Sequence, residues 1–181
     1  MTVLIVVLVV IAVVVILGAL LVPRMRSRRL QQRFGPEYDR TVESTGDRQA
    51  AERDLQERAE RRRELDIRPL DPQARDRYAQ RWRQAQEHFV DAPDQAVGEA
   101  DALVQEVMRE RGYPTGDFEQ QARDVSVDHG GVVHEYHAAH ELSQLSARGQ
   151  ASTEQLREAM VHYRALFAEL LDEGHRREPA H

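Results

Sequence analysis

Four of the chain's eight histidines fall within twelve positions, in the stretch Asp128-His129-Gly130-Gly131-Val132-Val133-His134-Glu135-Tyr136-His137-Ala138-Ala139-His140-Glu141. Histidine is the commonest metal ligand and titrates near neutrality. The stretch therefore invites a bound cation such as Zn²⁺ or Ni²⁺, or histidine-based catalysis. Its spacing opposes the catalytic zinc helices. His134-Glu135 with His137 reads H-E-x-H, and His137 to Glu141 reads H-x-x-H-E; neither is H-E-x-x-H or H-x-x-E-H. At about 100° per residue, His134 and His140 lie roughly 120° apart on a straight helix and cannot share an ion. His140 falls on the face of Val133 and Tyr136 and reads as a core histidine. His137 and Glu141, at i and i+4, could supply two ligands, with His129 or a distant residue as the third. That set of His129, His137 and Glu141 is the alternative reading, a metal-binding or histidine-based enzyme. The favoured reading makes the histidines structural, with no catalytic residue and no cofactor. His162 lies on the polar flank of its own helix.

Other chemistries have less behind them. The chain has no cysteine, which removes disulfides, thiolate nucleophiles and cysteine zinc sites. It has no glycine-rich phosphate loop and no G-x-S-x-G. Asp124, Asp128 and Glu135 are acids among many, and no carboxylate pair can be claimed without distances.

The elements that must carry these residues read as helices, with no strand-like alternation. Asp71-Pro72 is an N-cap followed by proline at N1, and Tyr78, Trp82, Ala85 and Phe89 then form one aromatic seam. Asp91-Ala92-Pro93-Asp94 separates it from a second helix with Ala96, Val97, Ala100, Leu103, Val104, Val107 and Met108 on one face. Asp117 caps a third helix to about Val127. A fourth covers about 132–148 and stops at Gly149. Ser152 with Gln155 forms a capping box for a fifth, with Leu156, Met160, Tyr163, Phe167, Leu170 and Leu171 along its face, ended by Gly174. Short loops between amphipathic helices predict an antiparallel bundle, so the fold class is all-α with a helical bundle over 71–173 and a flexible tail over 174–181.

Ahead of the bundle, residues 2–22 carry no charge. As a helix they span roughly 31 Å, the thickness of a bilayer's hydrocarbon core, and only a helix satisfies a single spanning backbone in lipid. The expectation is a transmembrane helix over residues 1–23. Arg24, Arg26, Arg28, Arg29 and Arg33 follow before the first acid, Glu37, and no basic side chain precedes the run. By the positive-inside rule they form a membrane collar. They place the N-terminus outside and the C-terminal domain in the cytoplasm of a single-pass plasma (inner) membrane protein. A cleaved signal peptide fits poorly, for want of a basic n-region, a shorter apolar stretch and a good cleavage site.

Residues 24–70 read as an Arg-rich juxtamembrane stretch and a charged spacer. Gly35-Pro36 interrupts any continuation of the membrane helix, and Pro36 opens a short new one. Phe34 and Tyr38 suit either the headgroup region or, as favoured, a turn with two packed rings. From Asp47 to Asp66, 13 of 20 residues are Asp, Glu or Arg, and Ala51, Leu55 and Ala59 make only a narrow apolar stripe. A solvated spacer helix is preferred over a coiled-coil dimer, which needs stronger a and d positions. All 25 basic residues are arginine. Residues 23–70 hold 13 Arg against 10 acids, and residues 71–181 hold 12 against 21. The acidic bundle suits the anionic leaflet poorly and is a poor partner for nucleic acid.

The strings Arg33-Phe34-Gly35-Pro36-Glu37-Tyr38-Asp39-Arg40, Glu64-Leu65-Asp66-Ile67-Arg68-Pro69-Leu70 and His162-Tyr163-Arg164-Ala165-Leu166-Phe167 carry a resemblance. The chain resembles a family of uncharacterised bacterial single-pass membrane proteins of actinobacterial type, over most of residues 30–171. The resemblance implies the anchor-and-domain architecture and brings no activity, cofactor or catalytic residue. The expected function is a non-catalytic, membrane-anchored interaction or scaffolding module. Its expected partners are the lipid bilayer and a protein, which could be a second copy.

Overall fold

The computed structural model describes residues 24–176, with side chains to 172. Among the described residues the chain is all-helical: α1 (24–34), α2 (Pro36–Thr45), α3 (Arg48–Glu64), α4 (Pro72–His88), α5 (Pro93–Glu110), α6 (Phe118–His129), α7 (Val133–Ala147) and α8 (Thr153–Arg176). No helix among them is long and apolar enough to cross a membrane. The expected span at 2–22 lies outside the described residues, as does the end of the tail.

Local chemistry sets the helix starts. The Asp47, Asp71 and Asp117 side chains accept from the backbone N–H groups of Gln49, Ala74 and Gln120, each at 2.8 Å. Each bond satisfies a donor that the first turn leaves orphaned. Ser152 and Gln155 exchange bonds: Ser152 N–H donates to Gln155 Oε1 (2.8 Å) and Gln155 N–H to Ser152 Oγ (3.3 Å). Pro36, Pro72 and Pro93 open α2, α4 and α5, where a missing N–H costs nothing. One expected boundary moves: α8 runs through Gly174 to Arg176.

The main core is built by α4 to α8. Tyr78, Trp82 and Ala85 of α4 meet Val97, Leu103, Val104 and Met108 of α5 and Leu156, Tyr163, Leu166 and Phe167 of α8. Trp82 stacks on Phe167 with ring centroids 4.6 Å apart. Phe89, the last member of the expected seam, is only half-buried against this core. Inside it, Gln105 Nε2 donates to the Tyr136 hydroxyl (2.7 Å) and that hydroxyl to Gln121 Oε1 (2.8 Å). Gln121 Nε2 returns to Gln105 Oε1 (3.0 Å). The closed ring lets three polar side chains enter the interior without stranding a donor.

A second, smaller core departs from expectation. Leu30, Phe34, Tyr38, Leu55, Ala59 and Val127 pack together, with Val42 at the edge. The stripe of α3 is fully used: Ala51 and Leu55 have no exposed surface. The charged helix is therefore not a solvated spacer. It lies on α2 and α6, and the Phe34 and Tyr38 rings are packed, as the favoured sequence reading has it.

Ion pairs flank that contact. Arg58 reaches Glu37 (3.0 Å), Asp54 (2.6 Å) and Ser126 Oγ (3.2 Å); Arg61 reaches Asp124 (2.9 Å). Arg62 pairs with Asp128, and Arg123 of α6 with Asp54. The Asp124 side chain is 1 % exposed and Arg58 11 %, so these charges are largely desolvated. Such pairs add little net stability over an apolar contact, yet removing one member is costly. They set which surface of α3 meets α6.

Two glycines allow close approaches. A Cβ on Gly130 would lie 2.3 Å from the Phe34 carbonyl oxygen, and α1 ends against that point. Gly112, at φ +95°, brings the α5–α6 turn so near residue 66 that a Cβ would lie 2.2 Å from the Asp66 carbonyl oxygen. The connector between α3 and α4 is held there by Arg68 N–H, which donates to the Arg111 carbonyl oxygen (2.9 Å).

Candidate functional site

The histidines that suggested a metal are dispersed by the fold. His129 sits at the end of α6, 2 % exposed. His137 and Glu141 are on α7, His137 edge-on to Phe118 with centroids 5.2 Å apart and Glu141 exposed. No group of three or more His, Cys, Asp or Glu side chains among the described residues could hold a metal ion. The other α7 histidines have separate tasks. His140 stacks on Phe118 at 3.7 Å, 8° from parallel, and meets Gln144 Nε2 at 2.8 Å. It is half-buried, less than a core position on the Val133/Tyr136 face implied, because the Phe118 ring covers one face of the imidazole. Burial pushes its pKa below the usual value, against the weaker raising effect of the Asp101 charge. His134 lies 2.9 Å from Glu135, whose carboxylate also meets His162 of α8.

The densest buried polar group forms instead where α1, α5, α6 and α8 converge. Arg111, at the end of α5, is 1 % exposed. Its guanidinium donates to the Leu170 carbonyl oxygen (2.9 Å) and the Arg68 carbonyl oxygen (3.4 Å), and its Nη1 lies 3.4 Å from His129 Nε2. Arginine has no acceptor, so a hydrogen bond in this contact runs from the guanidinium to Nε2. Nδ1 lies 3.7 Å from Glu169. Nearby, the Tyr113 hydroxyl donates to Asp128 at 3.2 Å, and Asp128 is also the partner of Arg62. A cavity of about 310 Å³ opens beside this junction, between the end of α1 and the Gly130-Gly131 turn, with His129 and Glu169 on its wall.

Chemically the junction is occupied with itself. The lone pair that His129 would offer a metal or a proton faces a guanidinium, and a cation placed there would meet that charge at short range. Asp124 and Asp128, unassigned on sequence, are ion-paired, and Glu135 meets His134 and His162. The buried tyrosines hold their protons. Tyr136 and Tyr163 are raised by burial, then by the Asp101 charge; Tyr78 is pushed up to about 12 by burial and its bond to Glu110. The geometry of the junction clasps the connector, α5, α6 and α8 together.

Arg111 is the residue that sequence reasoning missed. It lies seven after Val104 and three after Met108, in register with the apolar face of α5, which is the one signal that marked it for burial. The collar residues Arg24, Arg26, Arg28, Arg29 and Arg33 all lie exposed on α1. No protein-family model, no curated protein and no solved structure matches the chain.

Proposed function

We propose that the chain is a membrane-tethered interaction module. It is anchored through residues 2–22 with its N-terminus outside, and its helical body holds a protein partner, or a second copy of itself, near the inner leaflet. The observation that carries this reading is the uncharged 21-residue run followed at once by five arginines. The non-catalytic part is supported by Arg111, spent on two carbonyl groups and His129, and by Asp124 and Asp128, which pair with arginines of α3.

Tethering acts by raising a partner's local concentration without any new contact. The reading requires anchor and body to be jointly necessary. In-cell crosslinking of the full chain should capture a specific partner, or a differently tagged copy. Capture should survive exchange of residues 2–22 for an unrelated span and weaken when the run is deleted. A reporter fused after His181 should behave as cytoplasmic; a periplasm-active alkaline phosphatase fusion there would reverse the topology. Full function from a chain lacking 2–22 would remove tethering as the explanation.

A further inference from the structure

The arginines of α1 and α3 divide into two populations. Arg58, Arg61 and Arg62 of α3 are each neutralised by acids of α2, α3 or α6. Arg26, Arg29 and Arg33 of α1 and Arg63 of α3 have no ion pair or hydrogen bond among the described residues. These four line a single groove between α1 and α3, about 330 Å³ in volume, together with Leu30, Ala59, Gln56 and Glu60.

The convergence follows from geometry. Positions 26, 29 and 33 are spaced i, i+3, i+7 and so share one face of α1, while Arg63 comes from the last turn of α3. The packing of Leu30 against Leu55 and Ala59 in the smaller core draws the two helices together. Four guanidinium groups around one cavity with a single carboxylate repel one another in the absence of an anion. Their planar forks suit phosphate oxygens, which they can hold two at a time. The floor is apolar, with Leu30 and Ala59 each 8 % exposed, and suits the glycerol side of a lipid better than a bare ion. Arg28, on the same helix, does not line the groove.

We infer that this groove is a binding site for a phosphodiester, taken from the headgroup of an anionic phospholipid such as phosphatidylglycerol. The lipid source rests on the proposed membrane tether; the phosphate chemistry rests on the four arginines alone. A free phosphate would meet the same side chains, so the test separates the two sources.

The full chain, purified in non-ionic detergent, is titrated at fixed ionic strength with dioctanoyl phosphatidylglycerol, dioctanoyl phosphatidylcholine and inorganic phosphate. Native mass spectrometry reads the number of molecules retained, and Trp82 fluorescence reads the unfolding temperature. One phosphatidylglycerol per chain should be retained and should raise the unfolding temperature, with phosphatidylcholine and inorganic phosphate at least tenfold weaker. Arg29→Gln/Arg63→Gln should weaken phosphatidylglycerol at least tenfold. Arg28→Gln/Arg40→Gln, the same change of charge outside the groove, should alter it less than twofold. Glu60→Gln, which removes the one acid, should tighten binding, a gain that a misfolded variant cannot give. Equal losses from both double variants, equal binding of the two lipids, or the absence of saturation would overturn the site. Inorganic phosphate binding as tightly as phosphatidylglycerol would overturn the lipid source. Carbonate extraction of cell membranes reads the tether separately: a retained chain without phosphatidylglycerol selectivity sinks the groove and leaves the tether standing.

Discussion

Leu55→Ala separates a packed α3 from a solvated one. Leu55 has no exposed surface and meets Phe34, Tyr38, Ala59 and Val127. Full burial of a leucine side chain contributes about 1.5–3 kcal/mol, and the cavity left by truncation brings the usual cost of Leu→Ala to about 2–5 kcal/mol. We expect ~3 kcal/mol, because the small core has few neighbours that can collapse into the gap. For a domain of this size that corresponds to a fall of roughly 6–12 °C in Tm. On a solvated spacer the same change would stay within about 0.5 kcal/mol. Trp82 is the only tryptophan and lies in the other core, stacked on Phe167, so its fluorescence reports the bundle and not α3. In a thermal melt of the full chain in mild detergent, Leu55→Ala should lower the Trp82 midpoint together with the loss of helicity. A Trp82 midpoint that stays put while part of the helicity melts early would show that α1–α3 unfold independently. If neither signal moves, the packing of α3 contributes nothing and the reasoning fails.

Three further outcomes follow from the same contacts. Arg61→Ala strands the buried Asp124 carboxylate and should cost about 1–3 kcal/mol, discounted because Arg61 is half-exposed; adding Asp124→Asn should recover most of it, and a double variant no better than the single would contradict the pairing. Gly130→Ala should destabilise by roughly 1–3 kcal/mol or more through its clash with Phe34, whereas Gly98→Ala, with open space in α5, should stabilise by about 0.5–1 kcal/mol; equal effects in denaturant titrations would refute the close approach. Burial on Phe118 lowers the His140 pKa, so its neutral form favours folding. That contribution is full above the ordinary value of about 6.5 and is lost as pH falls through the lowered one. His140→Gln should therefore lose less stability than the parent between pH 7.5 and 5, and a pH-independent difference between the two would argue against the assignment.

The parts of the fold that were legible in the sequence are those whose causes are local. Asp71 with Pro72, Asp117, and Ser152 with Gln155 mark helix starts through bonds that span two or three residues, and each forms as read. The broad faces of α5 and α8 are buried because their stripes are wide enough to demand a partner. The stripe of α3 is narrow, and what commits it to α6 is a set of arginine–acid pairs whose partners lie 63 to 69 positions away. Helical periodicity carries no information about such partners, so a charged helix reads as solvated. Arg111 was obscure for the opposite reason: its surroundings are apolar in sequence, while the carbonyl groups that satisfy it come from residues 68 and 170. The histidine cluster is dense in sequence because His134, His137 and His140 share α7 and a tight turn sets His129 of α6 just before them, but the fold sends His129 and His137 to different neighbours.

The docking of α1 against Gly130 bears on how far the body can reach. A domain hung from a membrane by a loose tether explores a hemisphere, and its encounter with a partner follows polymer statistics. Here the arginine-bearing helix is itself part of the packed body, joined to α2 by the single residue Gly35 and clasped to the end of α6. A chain anchored through residues 2–22 would have no free linker between Arg24 and its packed body. Its reach would then be short, favouring partners that present a binding face close to the lipid.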